Sequence, residues 1–251
     1  MKTGKIAVKV GCCGFSVARP KYFGALPVVE IQQTFYEPPR PSTAKRWRED
    51  APQDFEFTLK AWQLITHEPS SPTYRRLRTP LSDKEKGEAG SFRWTDLTRR
   101  AWQVTLEVAR ALNADKVLFQ CPASFRPIPK NRDRLSNFFN AIEREGIACI
   151  WEPRGDWQPD EIADLCQRLG LVHCVDPFQG ESVTDGLRYY RLHGIGGYRH
   201  EYTEKELRWL SRHCADKGAA YILFNNVSMF QDAFRFQKLL AASGNEGPHA
   251  A

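Results

Sequence analysis

Glu152, Asp176 and His193 are the residues in this chain best placed for acid–base or metal chemistry. Each closes a short apolar run: ACIWE at 148–152, LVHCVD at 171–176 and YYRLHG at 189–194. Two carboxylates and an imidazole, brought together, can hold a divalent metal or divide the general-acid and general-base roles. Cations accompany them. Arg154 follows Glu152 by two residues, Arg191 precedes His193 by two, and Lys60 lies near the end of FEFTLKAW. Guanidinium forks suit phosphate, and a metal would activate water. Comparable runs end near Glu30, His67, Gln120 and Asn225. The expected catalytic set is therefore Glu152, Asp176 and His193. The expected substrate-binding set is Glu30, Lys60, His67, Gln120, Arg154, Arg191 and Asn225.

Each residue also has a plainer reading. Glu30 and Lys60 lie inside their runs and are equally suited to pairing in a protein interior. Glu152 with Arg154 also suits a structural ion pair. Asp176 precedes Pro177, a combination that starts turns. His193 before Gly194 suits a satisfied core histidine, and Asn225-Asn226 suits backbone bonding at a turn. Cys12 and Cys13 read as packed thiols, and Trp47, Trp62, Trp151, Trp157 and Trp209 as core.

The elements that must position these residues follow from periodicity. Strands are expected at Ile6–Gly11, Val28–Tyr36, Phe55–Trp62, Lys116–Cys121, Ala148–Glu152, Leu171–Asp176, Tyr189–Gly194 and Ala220–Asn226, from alternating or continuous apolar runs. Along Val28–Tyr36, Glu30, Gln32, Thr34 and Tyr36 would share a face. Helices are expected where apolar residues recur at steps of three and four, clearest from Leu97 through Ala101, Val104 and Val108 to Leu112. Ser42 is a plausible cap for an earlier helix through Trp47, and Gly170 a stop for the helix carrying Ile162 and Leu169. Thr203 with Glu206 and Ser228 with Gln231 read as capping pairs for the last two helices. Pro20 to Pro27 leaves little room for a first helix.

Strands separated by helices imply a parallel sheet, because parallel pairing needs crossovers. Eight such units predict an α/β fold, a single TIM-barrel-like (β/α)8 domain over 1–242, with sites at the C-terminal ends of its strands. Residues 66–93 read as a long irregular insertion after strand 3, a length that suits a lid or binding loop. Residues 243–251 read as a frayed tail.

The 251 residues match the roughly 250 typical of that barrel. Hydrophobic content of 41% and charged content of 26% are ordinary for a globular protein. No run approaches the roughly 18 apolar residues of a membrane span, and MKTGKIAVKVGCC is too short and interrupted for a signal peptide. Seven cysteines without regular spacing argue for reduced thiols and a cytoplasmic location. The net charge of +6 is concentrated. Residues 71–100 hold eight Arg and Lys against four acids, so +4 of the total lies in one segment.

At these residues the sequence resembles the YecE-like family, domain of unknown function 72. The matching pieces are VGCCGFS at 10–16, VEIQQTFY at 29–36, FEFTLKAWQLITH at 55–67, VLFQCPASF at 117–125, WEPRGDW at 151–157, VDPF at 175–178, RLHGIGGY at 191–198 and ILFNNVSMFQDA at 222–233. SSPTYRR at 70–76 looks like the archaeal branch. The resemblance implies a TIM-barrel-like cytoplasmic protein with no established activity. Glu30, Lys60, His67, Gln120, Glu152, Arg154, Asp176, Arg191, His193 and Asn225 fall in the family's motifs. The chain departs from the usual pattern at Cys13-Gly14-Phe15, where Ser-Gly-Trp is common.

Three functions follow from these residues. The first is an enzyme with a barrel-mouth site, using a divalent metal to hydrolyse a phosphorylated or nucleic-acid substrate. The second is a metal-free sugar-phosphate isomerase or lyase with Glu152 or His193 as base. The third is a nucleic-acid-binding module using the basic insert at 71–100 with Tyr74, Phe92 and Trp94.

Overall fold

A computed structural model describes residues 8–214 and 218–243. Its elements run β1 (Val8–Cys12), α1 (Arg19–Phe23), β2 (Val28–Ile31), α2 (Gln33–Tyr36), α3 (Pro41–Glu49), β3 (Glu56–Lys60), α4 (Gln63–Thr66), a 3-10 turn (Pro72–Arg76), α5 (Asp83–Glu88) and α6 (Asp96–Leu112). They continue with β4 (Lys116–Gln120), α7 (Pro129–Ala141), β5 (Ala148–Glu152), α8 (Pro159–Leu169), β6 (Val172–Val175), β7 (Arg188–Leu192), α9 (Glu204–Cys214), β8 (Ala220–Phe224) and α10 (Met229–Ser243). The strands close into a parallel α/β barrel in sequence order, β1 through β8. Ile6 and Ala7 of the expected first strand, and residues 244–251 of the expected tail, lie outside the described residues.

Packing divides the chain into two compact units, residues 1–30 with 175–251, and residues 31–174. In the first unit, β1 pairs with both β2 and β8, and β7 pairs with β8. Gly11 lies opposite Val28, and a Cβ there would fall 2.1 Å from the Val28 carbonyl oxygen. Only glycine permits that approach. The short first crossover is a real helix, α1, with Pro20 in its first turn. Buried Tyr22 knits it to the barrel: its hydroxyl accepts from the Cys12 N–H at 2.8 Å and donates to the Val28 carbonyl at 2.9 Å. At α9, Thr203 and Glu206 form the expected reciprocal cap.

In the second unit, β3, β4, β5 and β6 pair in turn, with Lys60 opposite Leu118 and Gln120 opposite Glu152. An aromatic core of Phe92, Trp102, Phe119, Phe125, Phe138 and Phe139 fills the layer between β4 and the helices over it. Trp151 and Trp157 are buried as expected, whereas Trp209 is exposed.

Three local expectations are corrected. The second strand stops at Ile31 rather than reaching Tyr36, and Gln33–Tyr36 coils into α2. The Thr34 hydroxyl lies 2.8 Å from the Ile31 carbonyl and 2.7 Å from that of Lys60, which captures the turn. Glu30, Gln32, Thr34 and Tyr36 therefore share no strand face. Helix α3 begins at Pro41 behind Arg40 rather than at a Ser42 cap, since proline suits the first helical position, where no N–H partner is needed. The insert is not irregular: Ser71 accepts from the Thr73 N–H, and Ser82 with Glu85 forms a full capping box for α5.

Candidate active site

The expected site residues fall into three groups, each contained within one of the two units. The first lies at the C-terminal ends of β3, β4 and β5, in the second unit. Lys60 Nζ donates to Gln120 Oε1 at 2.6 Å. Gln120 Nε2 donates to Glu152 Oε2 at 3.0 Å. The other oxygen of Glu152 takes the guanidinium of Arg154. A neutral amide thus spaces an ammonium from a carboxylate, and a second cation closes the row. The alternation follows from adjacency, because parallel register sets Gln120 beside Glu152 and places the end of β3 next to β4.

Aromatic and imidazole groups frame this row. The Lys60 ammonium stands 3.7 Å from the centroid of the Phe35 ring, a cation–π contact in a buried setting. His67 packs edge-on against Phe35, and its Nδ1 lies 2.7 Å from the Thr66 hydroxyl. Burial, and then the Lys60 charge, push the His67 imidazole down to about 3. His173 on β6 is also lowered, to about 4, by burial, with the Glu152 charge partly opposing. Both rings are neutral near pH 7. His173 was not singled out from sequence; its placement in LVHCVD, three residues before Asp176, carried the available signal. Phe35 was hidden inside the apparent strand.

The insert is stapled beside this row. Tyr74 donates its hydroxyl to the His67 carbonyl at 2.7 Å, and the Arg76 guanidinium lies 3.6 Å from the centroid of the Tyr36 ring. Most of its cations are matched by carboxylates: Lys84 with Glu88, Lys86 with Asp83, Arg93 with Glu68, Arg99 with Asp96 and Arg100 with Glu85. Four of these carboxylates lie within residues 71–100 and are already counted there, so Glu68 alone lowers the segment's surplus, from +4 to +3.

The second group lies in the first unit, past the ends of β6, β7 and β8. Asp176 commits both carboxylate oxygens to backbone: Oδ1 accepts from the Phe178 N–H at 3.0 Å and Oδ2 from the His193 N–H at 2.9 Å. It makes the turn its Asp-Pro setting suggested and also pins the end of β7. Asn225 Nδ2 stands 3.0 Å from His193 Nδ1. The contact ties the end of β7 to the segment that follows β8. Asn226 donates instead to the His200 carbonyl and the Asp232 carboxylate, a structural use.

The third group is a buried pair in the first unit. Arg191 Nη2 meets Glu30 Oε1 at 3.0 Å, with side-chain exposures of 1% and 0%. Tyr189 donates to Glu30 Oε2 at 2.8 Å. Cys13 lies against the same guanidinium, and its burial holds the thiol well above the ordinary range. All seven cysteines are reduced and buried. Among the described residues, no three His, Cys, Asp or Glu side chains form a group able to hold a metal ion. No described helix is long and apolar enough to cross a membrane.

Residues 19–250 match the family model described as protein of unknown function DUF72. The fold is similar to that of a DUF72 family protein from Enterococcus faecalis, with a TM-score of 0.73 and 19% identity over 94% of this chain and 98% of that one. A DUF72 family protein from Thermotoga maritima is similar at a TM-score of 0.62 and 22% identity, over 94% and 99%. An AP endonuclease of family 2 from Brucella melitensis shares the barrel at a TM-score of 0.53 and 12% identity, over 94% and 97%. No curated protein matches the chain.

Proposed function

The chain belongs to the DUF72 family, and from that premise we propose that it is an enzyme acting on a small phosphorylated or carboxylated substrate by proton transfer, without a metal. The observation that carries this reading is the row Lys60–Gln120–Glu152–Arg154 at adjacent strand ends. With both imidazoles neutral, its formal charge is +1, which suits an anion. Glu152 is 4% exposed and held through both oxygens, so its direction is fixed. In this role it removes a proton from carbon next to a carbonyl. Lys60 and Arg154 offset the negative charge that develops on the carbonyl oxygen, the contribution that fixed cations make best in a water-poor site. This is the chemistry of an isomerase or lyase. The metal-assisted hydrolase has less support, since no metal-ligating group of three gathers among the described residues. The nucleic-acid module has less support because the insert's cations are mostly paired. Reduced, buried thiols support a cytoplasmic location.

The test is a calorimetric and NMR screen of phosphorylated aldoses and ketoses in D2O. At least one is expected to bind and to exchange the hydrogen on the carbon next to its carbonyl. Glu152→Gln is expected to retain binding and to lose on the order of 100-fold or more in exchange rate. Arg154→Ala is expected to weaken binding about tenfold or more. A panel that never binds, or exchange that survives Glu152→Gln unchanged, overturns the proposal.

A further inference from the structure

Between residues 75 and 88 the sequence is charged and polar, and its large aliphatic residues are Leu77 and Leu81. Both are half-buried, because the chain from the 3-10 turn to α5 passes over the first turns of α6. There Leu97, Ala101 and Val104 recur at steps of four and three, one face of the helix. The strap does not settle onto that face. It leaves a cavity of about 340 Å3, with Leu77 and Leu81 on one side, Leu97, Ala101 and Val104 on the other, and half-buried Trp62 completing the wall. The cavity lies wholly within the second unit.

The strap is held at both ends. The Leu77 N–H donates to the Tyr74 carbonyl at 3.0 Å, and the Arg78 N–H to Glu37 Oε2 at 3.4 Å. At the far end Ser82 and Glu85 form the capping box of α5. The Trp62 indole N–H donates to the Tyr36 carbonyl at 3.3 Å, which fixes the ring. A preformed apolar cavity of this size lies within the range of small-molecule sites, roughly 300–1,000 Å3. It is about twice the roughly 150 Å3 that encloses a benzene ring.

The charges lining the cavity select the ligand. They are two carboxylates, Glu37 and Glu85, and one guanidinium, Arg100, a net of −1. Glu85 accepts from the Ser82 N–H and hydroxyl at 2.9 and 2.7 Å through one oxygen, and its other oxygen stands 3.9 Å from Arg100. Arg100 is thus set against Glu85. Glu37 accepts only a long bond from a backbone N–H, and among the described residues no cation pairs with it. A carboxylate unanswered beside apolar walls favours a cation that brings its own apolar body, and a tryptophan in the wall favours the same charge.

We infer that this cavity binds an apolar primary ammonium ion, an aralkylamine of one or two rings, with its ring among the aliphatic side chains and its ammonium at Glu37. The inference goes beyond the proton-transfer reading and stands without it, because it uses no residue of the Lys60–Arg154 row.

Three probes share one ring and one two-carbon chain and differ in charge: tryptamine, tryptophol and indole-3-propionate. Each is titrated against the full chain at pH 7 by calorimetry, with wild type, Glu37→Gln and Val104→Trp. Val104→Trp fills the cavity, so only binding that it abolishes counts as binding there, which separates the cavity from the anion-selective row. Tryptamine is expected to bind in the cavity about fivefold or more tighter than tryptophol, and indole-3-propionate more weakly than both. Glu37→Gln is expected to bring tryptamine to within about twofold of tryptophol and to leave tryptophol within about twofold of its wild-type affinity. A thermal melt checks that each variant is folded; if Val104→Trp is not, Leu77→Trp on the strap replaces it. Three results overturn the inference: no cavity-dependent binding of tryptamine at millimolar concentration, tryptophol or indole-3-propionate bound in the cavity as tightly as tryptamine, or a preference for tryptamine that survives Glu37→Gln.

Discussion

Replacing Arg191 by methionine removes the cation facing a carboxylate that is fully buried. Glu30 would keep the Tyr189 hydroxyl at 2.8 Å and lose the guanidinium at 3.0 Å. Breaking one side of a buried pair costs about 3–5 kcal/mol, because the remaining charge stays desolvated. Unfolding entropy of roughly 2.1 cal/mol/K per residue gives about 0.5 kcal/mol/K for this chain, so each kcal/mol moves the melting temperature by about 2 °C. The expected fall for Arg191→Met is therefore about 6–10 °C. Glu30→Gln in the same background removes the stranded charge and is expected to recover part of the loss, leaving the double variant at least 1 kcal/mol better than the sum of the singles. Urea unfolding followed by tryptophan fluorescence and by circular dichroism measures all four corners of the cycle. An Arg191→Met protein within about 1 kcal/mol of wild type, or strictly additive changes, would refute the reading of Arg191 and Glu30 as a coupled, desolvated ion pair.

Two further outcomes are expected. His67 and His173 titrate in the folded protein near 3 and near 4, below their ordinary 6.5, so the unfolded chain binds more protons between those limits. Stability is then flat above pH 6.5 and falls as pH drops toward 4, by about 2 kcal/mol for each ring at pH 5. Denaturation midpoints at pH 7 and pH 5 check this, and His173→Gln should shallow the acid slope rather than leave it unchanged. Gly11→Ala is expected to bring its methyl into the Val28 carbonyl and to leave little soluble protein or a melt lowered by 10 °C or more, on the order of the cost of a large core disruption; a variant that expresses and melts like wild type contradicts the contact at β1 and β2.

How far these features were legible depends on how locally each is determined. β5 was readable residue for residue, because ACIWE is apolar and Pro153 stops it. The Thr203–Glu206 cap was readable for the same reason, both partners being three residues apart. The end of β2 was not. QTFY carries a β-branched residue and two aromatics, a strand composition, yet Thr34 is held by the carbonyl of Lys60, 26 positions away. The Ser82–Glu85 box was present in the sequence but lay within a charged stretch whose composition suggested a loop. In the same stretch the count of cations was legible but their partners were not, since Arg93 is answered by Glu68, outside the segment counted.

The candidate site was legible as a set of strand ends and illegible as a set of partners. Parallel order is enough to say that Glu152 ends one strand and Gln120 its neighbour. Only register shows that the amide of Gln120 faces Lys60 with its oxygen and Glu152 with its nitrogen. The pairings also separate residues that composition treats alike. Asp176 and Glu152 are both buried carboxylates at strand ends, but Asp176 spends both oxygens on backbone N–H groups, which hold a turn whatever the substrate. Glu152 is held by two side chains, one of them the half-buried Arg154, so its surroundings can change when an anion arrives. Glu30 sits at 0% exposure against Arg191 at 1%, so neither group meets solvent. Of the three carboxylates, Glu152 alone combines a fixed direction with a neighbouring cation near solvent, and a base that must meet an anionic substrate needs both.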